Sequence, residues 1–272
     1  MKYPSFCLNK KTKEILPCGK EKTIKTWLKG AGGMLRAKVW LPAVKAGEKC
    51  PMVIIMHGIM TTKDIYPQPE IAKRLQSRGI AALTFDFNGH GQSYGRFRDM
   101  TVLNEKEDAL KVAEYAAALP FVEKIALCGH SQGGVVSALC AGELAGRIAA
   151  VVLMAPAAVC KDDALNGRIM GAEFDPVSPP ETLKVMMHSL GRNYIMVAQG
   201  IDIYGKVSAY GGPVCIIHGE KDSTVPVQYG ERFKESCPQA ELHILPDEGH
   251  LLNGNKEEVC SIVTGFLEKY LK

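Results

Sequence analysis

Apolar residues in this chain fall into short, nearly unbroken runs separated by longer amphipathic stretches. The runs are PMVIIMHG (51–58), IAALTFDF (80–87), KIALCGH (124–130), AAVVLMAP (149–156), PVCIIHGE (213–220) and ELHILP (241–246). Short runs of this kind, without polar alternation, predict strands covered on both faces. Ahead of them, KTIKTWL (22–28) and LRAKVWLP (35–42) flank the turn-forming GAGGM and show partial period-two patterning, which predicts an antiparallel edge. Helical stretches lie between: PEIAKRLQSRG (69–79), VLNEKEDALKVAEYAAALP (102–120), QGGVVSALCAGELAG (132–146), VQYGERFKESC (227–237) and KEEVCSIVTGFLEKYL (256–271). Gly79 and Pro120 supply stop signals for the first two. Alternating strands and helices predict an α/β fold, a doubly wound and mostly parallel sheet. Ligands then bind at the carboxyl ends of its strands.

One connection breaks the rhythm. Between Met154 and Pro213 lie about sixty residues, where a simple crossover needs only ~10–12. The segment is rich in Met, Tyr, Gly and Pro, including Met170, Met186, Met187, Tyr194, Tyr204 and Tyr210. The expectation is one domain spanning 1–272 with a cap inserted over about 156–210. Ordinary packing helices with long loops are the alternative.

The strongest chemical signal is Gly129-His130-Ser131-Gln132-Gly133, which follows a predicted strand and precedes a predicted helix. A G-x-S-x-G sequence in that context forms a tight turn that lifts a serine hydroxyl clear of the sheet. The turn needs glycines because side chains there would collide. It also places the Gln132 N–H, at a helix start, where an oxyanion develops. A serine hydroxyl needs a base. In this arrangement the chain order is serine, acid, histidine. Of the histidines after Ser131, His243 lies in a strand, His218 at a strand end and His188 in the insertion. His250 alone sits in a loop after the last strand, in PDEGHLLN. The orienting acid is expected after the penultimate strand, where HGEKDSTVP offers Asp222, with Glu220 as the fallback. A second oxyanion donor is expected from the Ile59 N–H, because Gly58 lets the backbone turn sharply. Asp86-Phe87-Asn88-Gly89-His90-Gly91 reads as a structural loop, since no further His or Cys cluster has ligand spacing. No metal and no cofactor are called for.

Composition narrows the setting. The chain has 272 residues, 46% hydrophobic and 23% charged, with a net charge of +4, a globular profile. Its basic residues are spread out. The local concentration from Lys10 to Lys29 has Trp27 as its one aromatic and so lacks the repeated interleaving of a single-strand nucleic-acid surface. Nine cysteines without CxxC spacing favour a reducing compartment, with a Cys7–Cys18 pair left open. No run approaches ~18 apolar residues, so no membrane span is expected. The N-terminal stretch lacks a signal-peptide h-region, so the expected address is cytoplasmic, with a removed leader left open. A homodimer is also left open.

On these residues the sequence resembles the α/β-hydrolase superfamily across nearly its whole length. More narrowly it is similar to bacterial cinnamoyl (feruloyl) esterases. The similarity lies in HGIMTTKD, DFNGHGQS, GHSQGG, HGEKDSTVP, EGH and the insertion's opening APAAVCKDDALNG. The resemblance implies a serine carboxylic-ester hydrolase acting on small esters, plant-derived hydroxycinnamates among them. It also implies that Asp163 and Tyr194 contact the ring hydroxyls of the acid. Where the family carries a glutamine before a glycine, this chain has Met170-Gly171, which weakens that recognition. Two rivals stay open within enzymes, a monoacylglycerol lipase-like hydrolase and a thioesterase, because a Met-rich cap suits an acyl chain as well. A non-catalytic receptor on the same scaffold is opposed by the filled Ser131, Asp222 and His250 positions.

Overall fold

The computed structural model describes residues 15–45 and 47–272. Its main sheet contains β1 (Lys22–Lys29), β2 (Met34–Leu41), β3 (Cys50–Met56), β4 (Ala81–Phe85), β5 (Val122–His130), β6 (Ala150–Met154), β11 (Val214–Gly219) and β12 (Glu241–Leu245). The intervening numbers belong to two small hairpins, β7 (Arg168–Ile169) with β8 (Ala172–Glu173) and β9 (Thr182–Val185) with β10 (His188–Gly191). The strand order is β1-β2-β4-β3-β5-β6-β11-β12. β2 pairs antiparallel with both β1 and β4, and every other pairing in the sheet is parallel. The doubly wound, mostly parallel sheet therefore stands as expected.

The burial patterns follow the sequence. β2 alternates buried and half-buried positions, as an antiparallel strand near an edge does, whereas all of β3 and β4 is buried. Side chains leave a strand alternately, so each central strand feeds two cores. Val53 and Ile55 of β3 and Ala126 and Cys128 of β5 pack on one face with α1 (Gln68–Ser77) and α8 (Lys256–Leu271). Ile54, Leu127, Leu153 and Ile216 face the other core. That core holds α2 (Val102–Ala117), α3 (Gln132–Glu143), and Phe233 of α7 (Gln228–Ser236). The Thr101 hydroxyl caps α2 by accepting from the Asn104 N–H at 3.1 Å.

Between Met154 and Val214 the chain forms α4 (Val159–Leu165), the two hairpins, α5 (Arg192–Gly200) and α6 (Ile203–Ser208). Asp162 ties this insertion to α7, accepting from the Tyr229 hydroxyl and from Arg232, each at 2.9 Å. β4 stops at Phe85, two residues short of the end of the apolar run, and Asp86 enters the loop fully buried. There it pairs with buried Lys63 at 2.8 Å and accepts from the Lys63 and Gln92 N–H groups. Every charge-bearing atom of Asp86 is thus engaged, which a buried ion pair requires; removing one partner of such a pair costs about 3–5 kcal/mol.

Seven described cysteines, from Cys50 to Cys260, are free, and Cys18 is disulfide-bonded. The expected alternative of a Cys7–Cys18 pair falls on Cys7, outside the described residues. Among the described residues no helix is long and apolar enough to cross a membrane.

Candidate active site

Three loops at the carboxyl ends of β5, β11 and β12 bring Ser131, Asp222 and His250 together. Ser131 occupies the joint between β5 and α3 with φ +56° and ψ −121°, a backbone region that a residue with a side chain rarely adopts. Glycines make the joint feasible. A Cβ on Gly129 would lie 2.0 Å from the Gly133 carbonyl oxygen, and one on Gly133 would lie 2.5 Å from that of His57. The Ser131 N–H donates to the Met154 carbonyl at 2.9 Å, which ties the elbow to the neighbouring strand β6.

The hydroxyl of Ser131 lies 2.9 Å from His250 Nε2, and His250 Nδ1 lies 2.8 Å from Asp222 Oδ2. A carboxylate can only accept, so Nδ1 carries the proton and Nε2 is left to accept from the serine. Asp222 is buried, and its other oxygen accepts the Thr224 and Val225 N–H groups at 2.9 and 2.8 Å. Burial alone would raise its pKa. The hydrogen bonds from His218 and His250 outweigh that and hold the carboxyl well below the ordinary carboxylate range. The fallback acid, Glu220, is exposed in the same loop.

Ile59 and Gln132, the expected oxyanion donors, flank the serine. Gly58 approaches so closely that a Cβ there would meet the Ser131 Cβ at 2.9 Å. Among the described residues, neither the Ile59 nor the Gln132 N–H has a hydrogen-bond acceptor. Both donors are therefore free for a ligand oxygen.

The residues implied by the resemblance lie in the insertion. Asp163 of α4 pairs with Arg168 at 2.9 Å. Tyr194 of α5 is buried, and its hydroxyl donates to Gln132 Oε1 at 2.7 Å. Met170 is partly exposed at the β7–β8 turn with φ +50°.

Several residues that position this arrangement escaped the sequence reading. The Phe87 N–H donates to His57 Nε2 at 3.1 Å, so His57 Nδ1–H donates to the Gly58 carbonyl at 2.8 Å and braces the loop that carries Ile59. His130 Nε2–H donates to the His250 carbonyl at 2.8 Å. His218 Nε2–H donates to the Val225 carbonyl at 2.8 Å and stands 3.5 Å from Asp222. Buried Glu248 accepts the Gly254 and Asn255 N–H groups and so closes the loop that carries His250. A histidine beside a Gly or Ser in sequence signals such bracing only faintly. What identifies these four is burial together with a hydrogen bond to the backbone, long-range for His57 and His130 and within a loop for His218 and Glu248.

Burial holds the imidazoles of His57 and His130 down to about 4 and that of His90 to about 3. The unfolded chain takes up these protons nearer the ordinary value of about 6.5. Their contribution to stability is therefore complete above that pH and is lost as the pH falls from about 6.5 towards 4, at about 1.4 kcal/mol per unit for each group. Urea unfolding from about pH 7.5 to about pH 4.5 checks this. The midpoint should drop steeply below about pH 6.5; a constant midpoint down to about pH 5 would contradict it.

Comparison with known proteins adds family context. A family model described as serine aminopeptidase, S33, matches residues 47–190, and one described as alpha/beta hydrolase fold matches residues 183–257. The structure of Est1E from Butyrivibrio proteoclasticus with ferulic acid bound is 32% identical, with a TM-score of 0.86 over 90% of this chain and 98% of that one. A monoacylglycerol lipase from Mycolicibacterium smegmatis is 24% identical over 79% of this chain and 85% of its own length. The human protein ABHD12B is 26% identical over 70% of this chain, which spans about half (51%) of that relative.

Proposed function

The chain belongs to the α/β-hydrolase family, and on that premise we propose that it is a serine carboxylic-ester hydrolase that releases hydroxycinnamic acids of the ferulate type from their esters. The observation that carries the reaction class is the continuous Ser131–His250–Asp222 hydrogen-bond chain beside two unspent N–H donors. The substrate class draws its support from the likeness to Est1E, whose structure holds ferulic acid.

In this mechanism Ser131 Oγ attacks the ester carbonyl carbon while His250 Nε2 takes the hydroxyl proton. The oxyanion forms against the Ile59 and Gln132 N–H groups, which strengthen their hydrogen bonds as charge develops. Asp222 stabilises the imidazolium. His250 then gives its proton to the departing alkoxide, leaving an acyl group on Ser131. Water, deprotonated by the same imidazole, attacks the acyl carbon. Collapse of this second tetrahedral species releases the acid and returns the proton to Ser131.

The insertion at about 156–210 acts as the cap of this site, with Asp163, Met170 and Tyr194 lining the acid's side. One observation favours a second reading, an aliphatic acyl ester: Leu165, Met170, Met186, Met187 and Met196 of the insertion are all exposed, as a surface receiving an apolar chain would be. Rates on methyl ferulate, p-nitrophenyl butyrate, a long-chain monoacylglycerol and an amino-acid p-nitroanilide separate the classes. Methyl ferulate is expected to have the highest kcat/KM. Preference for the monoacylglycerol would overturn the aromatic assignment and keep the ester chemistry, while preference for the anilide would move the enzyme to amide hydrolysis.

A further inference from the structure

The side chain of Gln132 belongs to a buried polar chain that the reaction scheme above does not use. The Tyr194 hydroxyl donates to Gln132 Oε1 at 2.7 Å, and Gln132 Nε2 donates to Glu105 Oε2 at 2.6 Å. The three residues come from three elements: α5 of the insertion, the first position of α3 and the first turn of α2. All three are buried, Glu105 to 1% exposure. A carboxyl group in such a place is unfavourable unless it is hydrogen-bonded. Glu105 also interrupts the apolar face of α2 formed by Val102, Ala109 and Val112, where a hydrophobic side chain would pack.

The joint that this chain supports is held at Ser131 by backbone hydrogen bonds and by no side-chain cap. Ser131 precedes α3 in a strained backbone conformation, and its side chain does not cap the helix. The Gln132 N–H must nevertheless be aimed at the oxyanion, and misplacement of about 1 Å costs on the order of 10²-fold in rate. Holding both ends of the Gln132 amide, one from α2 and one from α5, fixes that side chain and with it the first turn of α3.

We propose that Glu105 is a positioning residue for the oxyanion hole, clamping Gln132 together with Tyr194, so that the insertion helps to aim the backbone donor. This rests on the reading of Ser131 as the nucleophile. Burial pushes the Glu105 carboxyl up to about 8, a trend reinforced by Asp108 on the same helix and opposed by the hydrogen bond from Gln132. His90, from the loop before α2, lies 3.7 Å away with its ring held neutral, and the Tyr194 phenol is also kept protonated. A neutral carboxyl group in this place is mimicked by glutamine in shape and charge.

The test compares Glu105→Gln, Glu105→Leu, Tyr194→Phe and the Leu/Phe double variant. Two readouts are taken: kcat and KM on p-nitrophenyl acetate, whose acyl group is too short to reach a ring site, and the rate at which a fluorophosphonate labels Ser131. Glu105→Leu should lower kcat and the labelling rate by about tenfold, with KM within about twofold. Glu105→Gln should stay within about twofold of the parent on every parameter. Tyr194→Phe should also lower kcat on this short ester, and the double variant should fall little further than the worse single one.

Several results would overturn the inference. One is wild-type rates in a folded Glu105→Leu protein; another is a Glu105→Gln loss as large as that of Leu; a third is an unchanged kcat in Tyr194→Phe. Should Glu105→Leu fail to fold, the Gln and Phe variants decide. Failure of the nucleophile reading looks different: Ser131→Ala would still be labelled and would still turn over.

Discussion

Replacing Ser131 with alanine lowers ester turnover by about 10³-fold or more while leaving the fold intact, because it removes the one atom that forms the acyl bond. Alanine fits the site, since the serine side chain serves no structural hydrogen bond beyond its link to His250; the Ser131 N–H, which ties the elbow to β6, remains. The residual rate comes from the Ile59 and Gln132 donors, which still polarise a bound carbonyl. Circular dichroism and a thermal melt establish folding, and initial rates on the preferred ester of the panel give the loss. Retention of most of the activity would remove Ser131 from the mechanism.

Asp222→Asn should cost about 10⁴-fold in kcat with a small change in KM. The geometry gives the reason. Asp222 Oδ1 accepts two backbone N–H groups, so the asparagine carbonyl oxygen will keep that side and turn its NH2 group towards His250 Nδ1. Two donors then face each other, and the imidazole moves its proton to Nε2, where it can no longer accept from Ser131. Glu220→Gln, in the same loop but exposed, should leave kcat within about twofold. The reverse ranking would assign the acid to Glu220.

Much of this site was legible in the chain because its signals are local. The Gly-x-Ser-x-Gly pattern is read within five residues, even though Gly133 answers to the distant His57 carbonyl, and the position of His250 follows from being the histidine in a loop after the last strand. Five of the apolar runs became β3, β4, β5, β6 and β11, buried along most of their length. ELHILP, expected to be covered on both faces, became the edge strand β12 with only Leu245 buried. The apolar character of the five was read without knowing which strand pairs with which, because burial on both faces leaves the same mark in any order.

The insertion was less legible. Its β9–β10 turn takes φ +52° at Met186 without glycine or asparagine, so the usual turn signal is missing there, whereas the β7–β8 turn pairs Met170 at φ +50° with Gly171 at φ +82°. The strands β7 and β8 have two residues each, too few to show any period. The bracing histidines were hidden for another reason, since their partners are carbonyls and N–H groups that only the fold brings near. Glu105 did leave a trace: an acidic residue stands on the helix face that Val102, Ala109 and Val112 make apolar.

The central claim is that one serine carries a covalent intermediate, and mass spectrometry of the fluorophosphonate-treated protein tests it most directly. A single adduct on the peptide containing Ser131, absent from Ser131→Ala and strongly slowed in Asp222→Asn, is the expected result. An adduct on another residue, or one of undiminished yield in Ser131→Ala, would contradict it.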